Sequence, residues 1–311
     1  MQLQIPATGS RLQEKWRNAE AILKRNWMTY VLLTPVLLVM GTLVWGNLIN
    51  GLWMTFHEWD IIGQARWVGL ENYQFVVPWE VFHQSLIATL IFSLVTFVQV
   101  GIALVATLAI NNIRFQDLIG AIFVIPYTIP GLVSGTLWVY LANPDFGPFF
   151  SFLTSKGILA EPIYWQGNGQ EAMGMIMFAA GWTYWPLAFI ILYAAIQNIP
   201  DEHYETAKVY GASRIQMARY VTIPQMKGAL LVALSIRTIN NLTKVSQPLQ
   251  MTQGGPGYST SILGITIFNF TNARQFGLAM TVGVFMIILT MLFVIPYIIK
   301  FEEQAGSGRV A

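Results

Sequence analysis

With 311 residues, 55% of them hydrophobic and only 10% charged, against roughly a quarter charged in ordinary soluble domains, the chain is too apolar for a soluble globular protein and reads as a membrane protein. Its 17 basic and 15 acidic residues leave a dispersed net charge of +2, which argues against a nucleic-acid partner. The absence of cysteine excludes disulfides, thiolate metal sites and cysteine nucleophiles.

Leu12, Trp16, Ala19, Leu23 and Trp27 recur at steps of three and four, with Glu14, Lys15, Arg17, Glu20 and Lys24 around the rest of the turn. That pattern predicts an amphipathic helix over 12–27, either an anchor lying in the inner leaflet or a helix that docks a partner. A hydrocarbon core about 30 Å thick needs about 20 mostly apolar helical residues. Six stretches satisfy this: 27–53, 82–110, 118–141, 172–196, 223–251 and 277–299. The first is longer than a signal-peptide core and is read as a retained span.

Six spans place both ends on one side. Segments 1–26, 111–117 and 198–222 and the tail from 300 carry eleven Lys and Arg residues, whereas the opposite loops carry only Arg66, Lys156 and Arg274. Positive charge accumulates in cytoplasmic loops, so both termini are expected inside the cell membrane. The organisation is then a cytoplasmic segment 1–26, a transmembrane domain 27–300 with a cytoplasmic loop at 198–222, and a cytoplasmic tail 301–311. Trp45, Trp53, Trp59, Trp67, Trp138, Trp165, Trp182 and Trp185 fall mainly near span ends or in outer loops, where an indole suits the headgroup region. Asn143-Pro144-Asp145-Phe146-Gly147-Pro148 and Gly254-Gly255-Pro256-Gly257 are turn formers on the outer side.

Between the fourth and fifth spans, Pro200 with Asp201 and Glu202 suits a helix start, and Gly211 suits the left-handed residue that ends it. Arg214 and Arg219 lie on a second short helix before Pro224. Two short helices projecting from a membrane bundle make a docking knob.

This segment resembles the EAA loop of ABC importer permeases: Glu-Ala-Ala, three residues, Gly, nine residues, Ile-x-Leu-Pro. Glu205, Ala207, Gly211 and Pro224 fit that spacing, while Thr206, Val221 and Ile223 depart from it and Tyr210 stands where Asp is common. Met251-Thr252-Gln253-Gly254-Gly255-Pro256 is similar to the Leu-Thr-x-Gly-Gly-Pro motif of the sugar-type subfamily, as are Asn143-Pro144-Asp145-Phe146-Gly147 and Gly69-Leu70-Glu71-Asn72-Tyr73. The resemblance covers roughly residues 27–300. It implies an all-α membrane protein of six transmembrane helices with the type I ABC importer permease fold and an N-terminal amphipathic helix. It further implies a second permease subunit, two ATPase subunits holding ATP and Mg, an external solute-binding protein, and no cofactor or metal in this chain. Glu205, Thr206, Ala207, Gly211, Ala212 and Pro224 are the implied ATPase-coupling residues. Gly254, Gly255 and Pro256 mark an outer loop that is either functional or a plain turn.

Inside the fifth span lie Arg237, Asn240, Asn241, Lys244 and Gln247 at steps of three and four, with no clearly intramembrane Asp or Glu to neutralise the two cations. Charges in a membrane helix are costly and mark functional sites by default. The stripe either lines a solute path, its amides meeting hydroxyls and its cations orienting or favouring an anionic solute, or ties helices together while the cations snorkel. Trp182, Tyr184 and Trp185 either stack on a sugar ring or pack.

No Gly-x-x-x-x-Gly-Lys-Ser/Thr loop occurs, so the energy source is expected in a separate chain. His57, His83 and His203 are scattered outside the spans and no His-Glu-x-x-His or Gly-x-Ser-x-Gly occurs, which disfavours an intramembrane enzyme. A channel would need a selectivity motif that the sequence does not offer. The expectation is an importer subunit for a di- or oligosaccharide, with glycerol phosphate or another anionic polyol as the alternative.

Overall fold

The computed structural model describes residues 24–59, 64–111 and 113–307, so most of the amphipathic helix expected over 12–27 lies outside the described residues. The chain divides into two compact units, one ending at Met54 and one beginning at Thr55.

The described part of the first unit is dominated by one helix, α1 (Trp27–Met54), with a wide π turn at Met40–Gly46. None of its described side chains is buried. A helix apolar on every side is a membrane span rather than the face of a soluble core.

The second unit opens with a two-stranded antiparallel ribbon, β1 (His57–Glu58) and β2 (Arg66–Trp67), in which His57 pairs with Trp67. Arg66 Nε donates to Glu58 at 3.0 Å across it. After α2 (Glu71–Val76) comes α3 (Glu80–Ile110), whose 31 residues extend about 46 Å and connect the two ends of the unit. At its start, Ser85 exchanges a hydroxyl hydrogen bond with Thr266 at 2.8 Å, and Thr89 accepts from the Leu263 N–H at 2.8 Å. Its far end meets Tyr204, Met217 and Thr222.

Next come α4 (Gln116–Val124), a 3-10 turn at Ile125–Thr128, and α5 (Gly131–Leu141). The expected third span is therefore bent by 91°. The cause is Pro130, which drives the preceding residue out of the helical region: Ile129 has φ −80 and ψ 122. Helices α6 (Pro148–Ser155) and α7 (Gly169–Gln197) follow, the latter slightly longer than expected. Beyond α7 lie α8 (Asp201–Val209), α9 (Arg214–Met217), α10 (Lys227–Leu242), α11 (Ser246–Thr252), α12 (Leu263–Asn272) and α13 (Phe276–Ser307).

Among the described residues, four helices are long and apolar enough to cross a membrane, or five if the bent pair counts as one crossing. The expected fifth span, 223–251, is not one helix. It breaks at Thr243, Lys244 and Val245, between α10 and α11. Pro248 supplies the cause, because it lacks an N–H and its ring would clash with the carbonyl of Lys244 in a continuous helix.

Three apolar layers run along the second unit. Val76, Phe82, Leu263, Phe270 and Val282 form one. Phe92, Trp138, Trp165, Ile176 and Met251 form the next, and Val100, Phe189, Leu192, Met226 and Ala233 the last. Trp138 and Trp165 were expected near a headgroup boundary, yet both are buried core residues. Trp165 satisfies its indole N–H on the Ala142 carbonyl at 2.7 Å, which removes the cost of burying it.

Candidate functional site

The two chain breaks meet. Gly131, directly after the bend, lies so close to Ser246 that an added methyl would collide with the serine hydroxyl and stand 2.7 Å from the Tyr184 hydroxyl. Tyr127 from the 3-10 turn, Tyr184 from α7, Arg237 and Asn240 from α10, and Thr243, Lys244, Val245 and Ser246 from the second break line one cavity of about 390 Å³. Irregular backbone within an apolar bundle is tolerated where it is buried in protein or faces a water-filled cavity. Here both breaks border the same one.

Tyr184 lies between the two cations. The Lys244 Nζ stands 3.3 Å from its ring centre and the Arg237 Cζ 5.5 Å from it. An ammonium over an aromatic face gains about 0.5–2 kcal/mol, more as water is removed. Arg237 is also tied to the bundle. Its Nε donates to Gln99 Oε1 at 2.9 Å and its Nη2 to Asn241 Oδ1 at 3.0 Å. Asn241 donates to Thr96 at 2.8 Å and to Gln99 at 3.0 Å, and Gln99 donates to the Ala180 carbonyl at 2.9 Å. These contacts join α3, α7 and α10 through fully buried amides.

A second knot joins α5, α7 and α11. Ser134 and Thr183 share a hydrogen bond at 2.6 Å, and Gln247 Nε2 donates to Ser134 at 3.0 Å. The predicted stripe is therefore divided. Lys244 and Asn240 face the cavity, Arg237 faces both cavity and network, and Asn241 and Gln247 are committed to packing. Trp182 packs edge-on against Trp138 at 5.5 Å between centroids, and Trp185 against Phe123 at 5.4 Å; neither lines the cavity. Sequence reasoning placed Ser246 beside the stripe but missed Tyr127, Thr243 and Gln99. The signal for Tyr127 was the Pro126-Tyr127-Thr128-Ile129-Pro130 run, which cannot continue a helix.

At the opposite end of α3 from the ribbon, α8 begins with Asp201 and Glu202 in its first turn. It ends in a Schellman motif: Ala212 N–H reaches the Ala207 carbonyl at 3.0 Å and Gly211 N–H the Lys208 carbonyl at 2.9 Å, with Gly211 at φ +74. Ser213 and Gln216 form a capping box that starts α9. The Tyr204 hydroxyl meets the buried Thr222 hydroxyl at 3.1 Å, which fixes the knob to the bundle. Glu205 and Thr206 are exposed, Ala207 and Ala212 half-buried, and Pro224 is exposed in the short helix Ile223–Gln225. The apolar tips stay uncovered: Val209 is 86% exposed, Tyr210 85% and Ile215 81%.

The loop with Gly254, Gly255 and Pro256 is stapled shut. Thr260 Oγ1 donates to the Gly255 carbonyl at 2.7 Å, Thr260 N–H reaches the Gly254 carbonyl at 3.2 Å, and Ser259 donates to the Pro256 carbonyl at 2.6 Å.

Residues 99–300, about two thirds of the chain, match the family of binding-protein-dependent transport system inner membrane components. The chain belongs to that family. It is a multi-pass membrane permease of a binding-protein-dependent transport system. The permease is 29% identical over 272 residues to the trehalose/maltose transport system permease protein of Thermococcus litoralis, covering 86% of this chain and 92% of that one. It is 26% identical to the sn-glycerol-3-phosphate transport system permease protein of Agrobacterium fabrum, covering 89% and 95%. Its fold superposes with a TM-score of 0.77 at 19% identity on a chain of a bacterial ABC transporter involved in the import of the acidic polysaccharide alginate, covering 92% of this chain and 99% of that one.

Proposed function

We propose that the permease forms half of the translocation path for a saccharide and is driven by a separate ATPase docked on residues 201–224. The observation that carries the docking role is the knob. Val209, Tyr210 and Ile215 are almost fully exposed on two capped helices that are anchored to the bundle through Tyr204 and Thr222. Exposed apolar side chains on a rigid support mark a protein contact. Closure of an ATPase pair against Glu205, Thr206, Ala207, Gly211 and Ala212 would push the segment ending at Pro224, and through it α10, which carries one wall of the cavity.

The complete importer on this reading contains a second permease, two ATPase subunits that hold ATP and Mg, and an extracytoplasmic binding protein, the last supported by the family itself. Both termini and the knob face the cytoplasm, and the 254–260 loop faces the binding protein. ATP favours one of two states, which alternates access to the cavity. The trehalose/maltose relative supports a saccharide cargo, and the glycerol-phosphate relative supports a polyol phosphate as the alternative.

The chain contains no cysteine, so a cysteine introduced at Tyr210 is a unique crosslinking handle. A photoactivatable maleimide there, used in native membranes, is expected to capture a Walker-motif ATPase identified by mass spectrometry. Capture of lipid alone by a fully assembled complex would refute the docking role.

A further inference from the structure

We propose that the transported saccharide bears an acidic group, a carboxylate, phosphate or sulfonate, and that Lys244 is the residue that recognises it. The proposal rests on the pathway reading above and narrows its solute class.

The cavity is cationic and has no internal counter-charge. Its lining includes Arg237 and Lys244 but no Asp or Glu, and among the described residues no ion pair joins either cation to a carboxylate. The two cations differ in what they have left to give. Arg237 spends its Nε and Nη2 on the neutral oxygens of Gln99 and Asn241, so its position is fixed by the bundle. Lys244 has no hydrogen-bond acceptor among the described residues, and its ammonium is steadied only by the Tyr184 ring at 3.3 Å. An ammonium carries three donors. In a pocket of restricted hydration an unpaired cation is costly, and a cation beside another of the same sign is costlier still.

An anionic ligand turns both costs into attraction, whereas a neutral sugar relieves neither. A neutral ligand would be served by amides and hydroxyls alone, and Asn240 and Ser246 already line the same wall. Tyr127, which meets Tyr184 edge to face at 6.5 Å, is exposed beside that wall and gives the apolar face of a pyranose a surface to lie on. The placement of Lys244 is also not a by-product of helix formation. It sits in the break between α10 and α11, where its backbone is free of a helical register and its side chain enters the cavity. At about 390 Å³ the cavity is in the range of small-ligand sites.

The test uses the complete importer in proteoliposomes, with its binding protein, and radiolabelled solutes in matched pairs: a glucosyl disaccharide with its C6 uronic acid, and a disaccharide with its 6-phosphate. The acidic member of at least one pair is expected to be carried in preference to its neutral partner. Lys244→Met should raise KM for that acid by at least about tenfold, and by several-fold more than for the neutral partner, while Lys244→Arg stays within about threefold of the native value, as expected for a hydrogen bond to a charged group. Preference for the neutral members, or an unchanged acid KM in Lys244→Met, would overturn the proposal and leave the saccharide reading intact. Loss of the second permease from purified Lys244→Met complex, with Lys244→Arg retaining it, would also overturn it by making Lys244 a subunit contact. No uptake of any member by the native importer would overturn the saccharide reading itself.

Discussion

Arg237 and Gln99, 138 positions apart in the sequence, meet in the interior of the bundle, the guanidinium Nε donating to the amide Oε1 at 2.9 Å. Because Asn241 donates to the same oxygen and accepts from Arg237, the three side chains form one unit. Arg237→Ala should leave the buried Asn241 Oδ1 unpaired and cost about 1–3 kcal/mol, read as a lower melting midpoint in detergent. In the double variant Gln99→Leu with Arg237→Met the loss should be smaller than the sum of the single losses, because neither partner is left stranded.

The left-handed backbone at Gly211 (φ +74) costs a residue with a Cβ about 1–2 kcal/mol. Gly211→Val should therefore distort the Schellman turn and lower the solute carried per ATP hydrolysed, measured in proteoliposomes. Gly211→Asn should retain most of that ratio, since Asn tolerates the conformation.

Gly131 has no room for a side chain against Ser246 and Tyr184. Gly131→Ala should cost about 1–3 kcal/mol through overpacking and slow uptake. Adding Ser246→Gly should recover part of the lost stability, which would identify the clash as the cause.

In the loop before α7, Tyr164 donates its hydroxyl to Asp145 at 2.9 Å. That hydrogen bond, and then the negative charge of Asp145, holds the phenol above the ordinary tyrosine range. The raised pKa means the bond persists at neutral pH and is lost as the pH rises through the tyrosine's own titration. Asp145→Asn should move tyrosinate formation at Tyr164 to lower pH, followed by ultraviolet difference titration against Tyr164→Phe.

Apolar run lengths were enough to place α1, α3, α7 and α13, because a membrane span declares itself by composition. The breaks were harder to read. Hydropathy alone carries 223–251 through as one span, since Thr243, Val245 and Pro248 are all compatible with an apolar environment. The break becomes visible only when Pro248 is taken as forbidding a helical bond to the Lys244 carbonyl. The knob at 201–224 was legible because Pro200 and Gly211 each have a strong local preference. The division of the polar stripe was not, because whether Asn241 and Gln247 face solvent depends on Thr96, Gln99, Ser134 and Thr183, which arrive from distant parts of the chain. Trp165 was likewise misplaced because an indole N–H satisfied on a backbone carbonyl leaves no trace in sequence, and Trp138 because its aromatic neighbours Phe149, Phe178 and Trp182 are brought to it only by the fold.

The bend before α5 has a mechanical consequence. A proline ring fixes φ, and the residue before it is barred from the helical region, so Ile129 and Pro130 form an elbow with a locked angle. The 3-10 turn and α5 on either side cannot straighten into one rod when the cavity opens. In the alternating access proposed above they move as a single lever.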